Sequence, residues 1–491
     1  MAMALSPLAE PREQVMASLT EYESLDGLGL AALIANGDVT AREVLDEAIA
    51  RAEAHNPALN AITARYYDRA RDAAARLPPG PFTGVPFLLK DLGALLTGTV
   101  STGSNKFLAQ TTADHDSSLV ARHVAAGLNI FGRSASPELG LAPSTEPAMF
   151  GPCHNPWNLA HSPGGSSGGA AAAVAARVLP LAHATDGGGS IRIPASACGL
   201  FGLKPTRART PSGPDVGEGW GGQSIGHCVS ISVRDSAALL DATAGPDIGD
   251  PYWAPPAAGK FLDDVGRPPG VLRIALCTTP WNCQPVDPEC VRAAEDAARL
   301  CQSLGHHVTE ARPEFDGVAI RRAQRAIIAA NTKATLTNLA AAAGRTLTAA
   351  DVEPMTWSVV ELADSISAAD YVNAITAIHR AGRVMACFFT IHDIILTPTM
   401  CMPPLPLGVI SPTNPDAESY LTAVNRSIAF TSLFNSTGNP AMSLPLHRTD
   451  SGLPVGVQFA GRFGDEATLF RLAGQLEAAQ PWKDRRPPLI A

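Results

Sequence analysis

The chain has 491 residues, of which 46% are hydrophobic and 17% charged, and its formal net charge is -9. That length is ample for a large buried core, while the acidic balance excludes a general phosphate-backbone surface, whose affinity comes from clustered Lys and Arg. Nine cysteines with no CxxC pair speak for reduced thiols that act as small core residues, so neither a disulfide framework nor a metal or other cofactor is expected.

Taken in order, the opening stretch MAMALSPLAEPREQ lacks the basic n-region and sustained apolar run of a secretory signal, and a cytoplasmic location is expected. Residues 26 to 76 read as helical: Thr40 and Glu43 form a capping box, and Val44, Leu45, Ala48, Ile49 and Ala52 recur on one face. The turn LPPGPFTG then leads into the apolar run Val85, Pro86, Phe87, Leu88, Leu89, which ends abruptly in Lys90 and Asp91. A helix over 116–126 followed by a strand over 128–131 implies an α/β layer. Residues 143 to 168 are irregular and rich in Pro, Gly, Ser, Asn and His, and a long segment of this kind inside a domain is usually functional. The alanine-rich run 169–184 is broken by Arg177 and Pro180, so it reads as a buried helix and a strand, not as a membrane span.

That strand enters the turn formed by Gly187, Gly188 and Gly189, with Ser190 at its end. Glycines allow the backbone to approach a ligand closely, and successive N–H groups of such a turn can converge on an oxygen that gains negative charge. A nucleophilic serine, a phosphate-binding turn and a plain turn between core segments all remain open on this stretch alone. Downstream, the pattern predicts a helix over 233–244, a strand over 272–276, a helix over 288–304 and a return strand at 307–308. Residues 318–390 read as mainly helical, with a strand over 391–397 and a last helix from Asp465. No internal repeat and no separating linker is found.

Three motifs compete for the chemistry. Gly164, Ser166 and Gly168 satisfy GxSxG, but the nucleophile elbow needs a strand directly before it, and HNPWNLAHSP is none. Gly217, Gly219 and Gly222 satisfy GxGxxG without a strand before or a helix after, which discards a dinucleotide site. The third arrangement joins Lys90, Ser166 and Ser190. A serine needs a base, and a lysine serves as one only where burial keeps it neutral, as the preceding VPFLL allows. Six lysines stand against 31 arginines in this chain; a residue present only for charge would more naturally be arginine, which cannot deprotonate. A structural ion pair of Lys90 with Asp91 remains the alternative. Among the histidines His183, close to Asp186, is the best candidate for a base, against a plain packed strand residue.

The chain resembles the amidase signature family, through TGVPFLLKD (83–91), GRSASPELG (132–140), NPWN (155–158), PGGSSGG (163–169), ATDGGGSIRIPASACGLFGLKPT (184–206), SVRDSAALLDATAGPD (232–247), TPT (397–399), NSTGNPAMSLP and LPVGVQFAGRFGDEATL. The resemblance implies Ser190 as nucleophile, Ser166 as a relay serine in a cis peptide bond with Gly165, and Lys90 as base. It implies an oxyanion hole of N–H groups around Gly187, Gly188, Gly189 and Ser190, a supporting pair Asp186 and Arg192, and a pocket lined by the segment holding Met149 and Phe150. The implied fold is α/β, a single domain over 1–491 with a mixed, mostly parallel β-sheet covered by helices on both faces. Within it lie an N-terminal helical segment (1–80), a catalytic core (81–250) and a variable helical specificity region (318–390). The implied activity is hydrolysis of a small-molecule amide, apolar, aryl, oligomeric or cyclic, with esters and carbamates as an extension. Neither a nucleic acid nor a membrane is expected as partner, and a homodimer is compatible. Gly188 departs from many relatives, which carry a bulkier residue there, and the wording TDGGGSIRIPASACGL resembles the nylon-oligomer cyclic-dimer hydrolase branch. The alternative is a glutaminase subunit of an aminoacyl-tRNA amidotransferase; a non-catalytic binding protein is disfavoured while all three reactive residues remain.

Overall fold

The short apolar runs of the sequence become the strands that carry the site. In the computed structural model, which describes residues 21–414 and 416–489, they are β1 (Ile62–Arg65), β2 (Pro86–Lys90), β3 (Asn129–Ser134), β4 (Leu181–Asp186), β5 (Phe201–Lys204), β6 (Ile225–Ser230), β7 (Arg273–Leu276), β8 (His307–Glu310), β9 (Ile394–Pro398), β10 (Ala441–Arg448) and β11 (Pro454–Gly461). They form a small sheet in the order β1-β3-β2 and a large one in the order β4-β6-β5-β10-β11-β9-β7-β8. The architecture is the expected α/β one, with mixed sheets flanked by helices. The expectation that parallel pairing dominates is corrected: parallel pairs are confined to β2 with β3 and to β7 with its neighbours β8 and β9. The reason is connectivity. The helix Pro288–Ser303 is the crossover a parallel β7–β8 pair requires, whereas β10 and β11 are joined by a tight turn closed by the Thr449 N–H to Leu453 O bond and can only run antiparallel.

The helix Ala41–Leu59 begins with the predicted capping box: Thr40 Oγ1 accepts the Glu43 N–H at 3.2 Å while the Glu43 carboxylate accepts the Thr40 N–H at 2.9 Å. The following strand β1 interrupts the predicted helical stretch. Four residues, ITAR, running from the buried Ile62 to the exposed Arg65, are too few to print a period-two pattern of their own. The alanine run becomes the helix Gly168–Ala175, with every residue buried, because alanine lets its backbone approach the surrounding strands closely. Residues 317–391 form three α-helices, Gly317–Ala342, Pro354–Asp364 and Ala368–Ile391, and a short 3-10 turn at Ala349–Asp351, so the strand predicted from 391 starts only at Ile394. Among the described residues no helix is long and apolar enough to cross a membrane. The expectation drawn from residues 1–14 lies outside the described residues.

Candidate active site

β2 is buried along its whole length, and this carries Lys90 to the interior with no exposed surface. Burial disfavours the ammonium form and pushes the Lys90 amine down to about 7, against a counter-pull from the Asp186 carboxylate. Its Nζ lies 2.6 Å from Ser166 Oγ and 2.9 Å from Thr185 Oγ1, a β4 hydroxyl that sequence reasoning missed. The ion pair with Asp91 does not form. The Asp91 carboxylate turns to Thr102, accepting its N–H at 2.7 Å and its hydroxyl proton, and burial pushes the acid's pKa up.

Ser166 is buried and stands in a cis peptide bond with Gly165. A side chain on Gly165 would meet the Ser144 backbone at 2.6 Å, so only glycine fits there. The residues before Ser166 are loop, as the argument against a nucleophile elbow required, and the helix Gly168–Ala175 opens just after it.

The glycine turn leaves β4 and runs into the helix Arg192–Cys198, which was not predicted. Asp186, fully buried, organises it. Its Oδ1 accepts the Gly189 N–H at 2.8 Å and its Oδ2 the Ile191 N–H at 3.1 Å, while Arg192 grips both oxygens at 3.0 and 2.8 Å. Burial alone would raise the carboxyl's pKa, but the Arg192 guanidinium and the Asn435 amide override it and hold the group well below the usual carboxylate range. Asn435 Nδ2 donates to Asp186 Oδ1 at 2.8 Å and to the Asp186 carbonyl at 3.0 Å, and Arg192 extends to Gln458 Oε1 and the Thr431 carbonyl. Thr431 Oγ1 in turn donates to the Gly188 carbonyl at 2.6 Å. Asn435, Gln458 and Thr431 come from the last quarter of the chain; Asn435 lies in the NSTGNP wording and Gln458 in LPVGVQFAG, but neither had a role assigned beforehand, and Thr431 lies in no quoted motif.

This network sorts the expected donors. The Gly189 N–H is engaged by Asp186, whereas among the described residues the N–H groups of Gly187, Gly188 and Ser190 meet no protein acceptor. Gly187 and Ser190, together with Ser166 and Thr185, line a cavity of ≈ 300 Å³ whose walls include Leu92, Leu95, Leu108, Leu139 and Trp220. Thr332 and Thr335, from the helix Gly317–Ala342, close its far side. Met149 and Phe150 do not line it, which corrects the expectation for that segment. The Phe150 carbonyl accepts Asn60 Nδ2 at 2.8 Å, an anchor that ties the segment to the end of the helix Ala41–Leu59. Trp220 belongs to the stretch discarded as a dinucleotide site. Positive φ at Trp220, Gly221 and Gly222 turns the chain so that the indole lies against Gly187, where a side chain would sit 2.6 Å from the ring. A side chain on Gly188 would meet nothing within 4 Å.

His183 is not a base for Ser190. Its Nδ1 accepts the Lys90 backbone N–H at 3.2 Å, its ring packs edge-on against His123 with centroids 5.4 Å apart, and burial drives its pKa well below the ordinary value. It is the packed strand residue of the two readings.

A profile of the family described as Amidase matches residues 43–470. A 6-aminohexanoate-cyclic-dimer hydrolase of Pseudomonas sp. (strain NK87) is 38% identical over 485 residues, which span 95% of this chain and 97% of that protein. The solved structure of a 6-aminohexanoate cyclic dimer hydrolase complexed with substrate superposes with a TM-score of 0.91 at 36% identity, covering 96% of this chain and 100% of that one. A bacterial aryl acylamidase structure, assigned to the amidase signature enzymes, gives a TM-score of 0.85 at 28% identity over 93% of this chain and 96% of the other.

Proposed function

We propose, from the premise that this chain belongs to the amidase signature family and is a hydrolase of amide C–N bonds, that its reaction passes through an acyl-enzyme on Ser190. The observation that carries the reading is the contact of Lys90 Nζ with Ser166 Oγ at 2.6 Å in a fully buried setting. A neutral Lys90 amine takes the Ser166 proton while Ser166 takes that of Ser190, and the Ser190 oxygen attacks the carbonyl. The developing oxyanion falls among the N–H groups of Gly187, Gly188 and Ser190, where loss of one donor costs on the order of 10²-fold in rate. The relay returns its proton to the departing nitrogen, and water, deprotonated along the same route, hydrolyses the ester. Thr185 holds the amine in line through its 2.9 Å contact.

The cavity's mainly aliphatic and aromatic wall favours a small apolar or aryl amide, and the relatives named for a cyclic dimer and for aryl amides favour the same choice. Esters and carbamates present the same carbonyl and belong to the proposed range, as does a cytoplasmic site of action. A glutaminase subunit fits this wall less well, since glutamine would bring a charged head group against leucines. Turnover of a panel containing an anilide, the 6-aminohexanoate cyclic dimer, an ester, a carbamate and glutamine tests the reading. Hydrolysis of the anilide or cyclic dimer by the lone chain is expected; glutamine as the single substrate accepted would reverse the assignment.

A further inference from the structure

A second cavity, of ≈ 740 Å³, lies between the helix Ala368–Ile391 and the segments 436–439 and 462–463, and it shares no lining residue with the cavity at Ser190. Three arginines, Arg207, Arg383 and Arg462, line it beside neutral polar groups, in a chain whose net charge is -9. Arg462 is already paired, with Asp393, which it shares with Arg273, and at 4.0 Å with Asp465, and Glu218 takes the Tyr252 hydroxyl, so Arg207 and Arg383 are the wall's unpaired cations among the described residues. Among the described residues no carboxylate reaches ion-pair distance of Arg207 or Arg383. Arg207 is held by carbonyls alone, its Nε donating to Gly222 O at 2.6 Å and its Nη2 to Ser436 O at 2.6 Å and Asn435 O at 3.3 Å, which leaves Nη1 without a protein acceptor. A largely buried guanidinium with no ion-pair partner carries a desolvation cost, which Glu218 offsets only from beyond ion-pair distance and which an incoming anion reduces further. The apolar part of the wall is Ile378, Ala386, the buried Phe389 and the half-exposed Phe463.

We propose that this cavity is a second binding site, for an organic carboxylate bearing an apolar chain. The carboxylate is taken by Arg207 and Arg383, whose planar forks suit it, and the chain lies along Phe389 and Phe463. The site does not depend on the reaction assigned to Ser190. Hexanoate is the probe, with acetate supplying the head without the chain and hexan-1-ol the chain without the head, each titrated calorimetrically into the full chain. Saturable hexanoate binding with a Kd of about 10 mM or tighter is expected. Arg383→Gln, an exposed position with no partner to lose, should weaken it about tenfold, the size of losing one charge-assisted contact, while Arg383→Lys recovers part of it. Thr335→Trp, which obstructs the cavity at Ser190, should leave it unchanged. The proposal is overturned if hexanoate does not saturate, if acetate or hexan-1-ol binds equally well, if Arg383→Gln has no effect, or if Thr335→Trp abolishes binding.

Discussion

Two buried lysines sit at the ends of two strands and are pushed to the same value, about 7, by the same loss of water: Lys90 closing β2 and Lys204 closing β5. Only one is placed to do chemistry. Lys90 Nζ touches two hydroxyls, Ser166 and Thr185, whereas Lys204 Nζ donates to the Pro205 carbonyl at 2.6 Å, a group that has no proton to give. A depressed lysine pKa is therefore a consequence of burial, and the base is identified by what the amine faces.

The sharpest break of that comparison is by substitution. Lys90→Ala, Ser166→Ala and Ser190→Ala should each lower kcat on the best amide by on the order of 10⁴-fold or more, whereas Lys204→Met should stay within about tenfold of the parent, because it removes no proton acceptor. Comparable losses for the two lysines would erase the distinction. Next in size is the pH response. The base acts as the neutral amine, so kcat/KM should rise as pH climbs through about 7 and plateau above it. A rate profile that is flat through this range removes Lys90 from the role, and persistence of the same profile in Lys204→Met assigns the titration to Lys90.

Smaller effects probe the loop that Asp186 organises. Asn435→Ala removes four buried hydrogen bonds, two to Asp186, one from Arg192 and one to the Gln223 carbonyl, and should cost about 1–3 kcal/mol of stability, read by denaturant titration, together with a fall in kcat from donors moved out of place. Gly189→Ala forces a side chain onto Thr431 Oγ1 at 2.5 Å and should be about as damaging, whereas Gly188→Ala meets open space and should change kcat by less than about threefold. Equal damage at the two glycines would show that Thr431 does not shape the turn.

What the sequence made legible follows from how the residues act. Lys90 could be found because a lysine closing an apolar run conflicts with its surroundings, and Ser190 because three glycines in a row announce an unusual backbone. Asp186 and Arg192 stand six residues apart and meet locally, at 2.8 Å. Asn435, Gln458 and Thr431 act on the same turn from more than 230 residues away, through contacts that exist only after β11 and the helix Ser432–Thr437 are packed. Asn435 and Gln458 lie in motifs that carry the resemblance, but no local pattern shows what they touch. The wall of the cavity was harder still. Trp220 sits in a glycine-rich stretch whose motif has neither a strand before it nor a helix after it, and its role depends on three successive positive φ angles. Met149 and Phe150 show the converse: a segment carried over from a resemblance is anchored by Asn60 away from the cavity. The same holds for strand direction: β10 runs antiparallel to both β11 and β5, and β11 to β9, and of these only β10–β11 is a hairpin, so pairings between distant strands, which the apolar runs do not announce, set it.

The most direct measurement quenches turnover of an activated ester or anilide in acid within the first catalytic cycles and locates the added mass by peptide mass spectrometry. The account predicts the acyl group on the peptide containing Ser190, accumulating above pH about 7 in the parent and absent in Lys90→Ala. An adduct on another residue, or turnover with full rate and no adduct in Ser190→Ala, would contradict it.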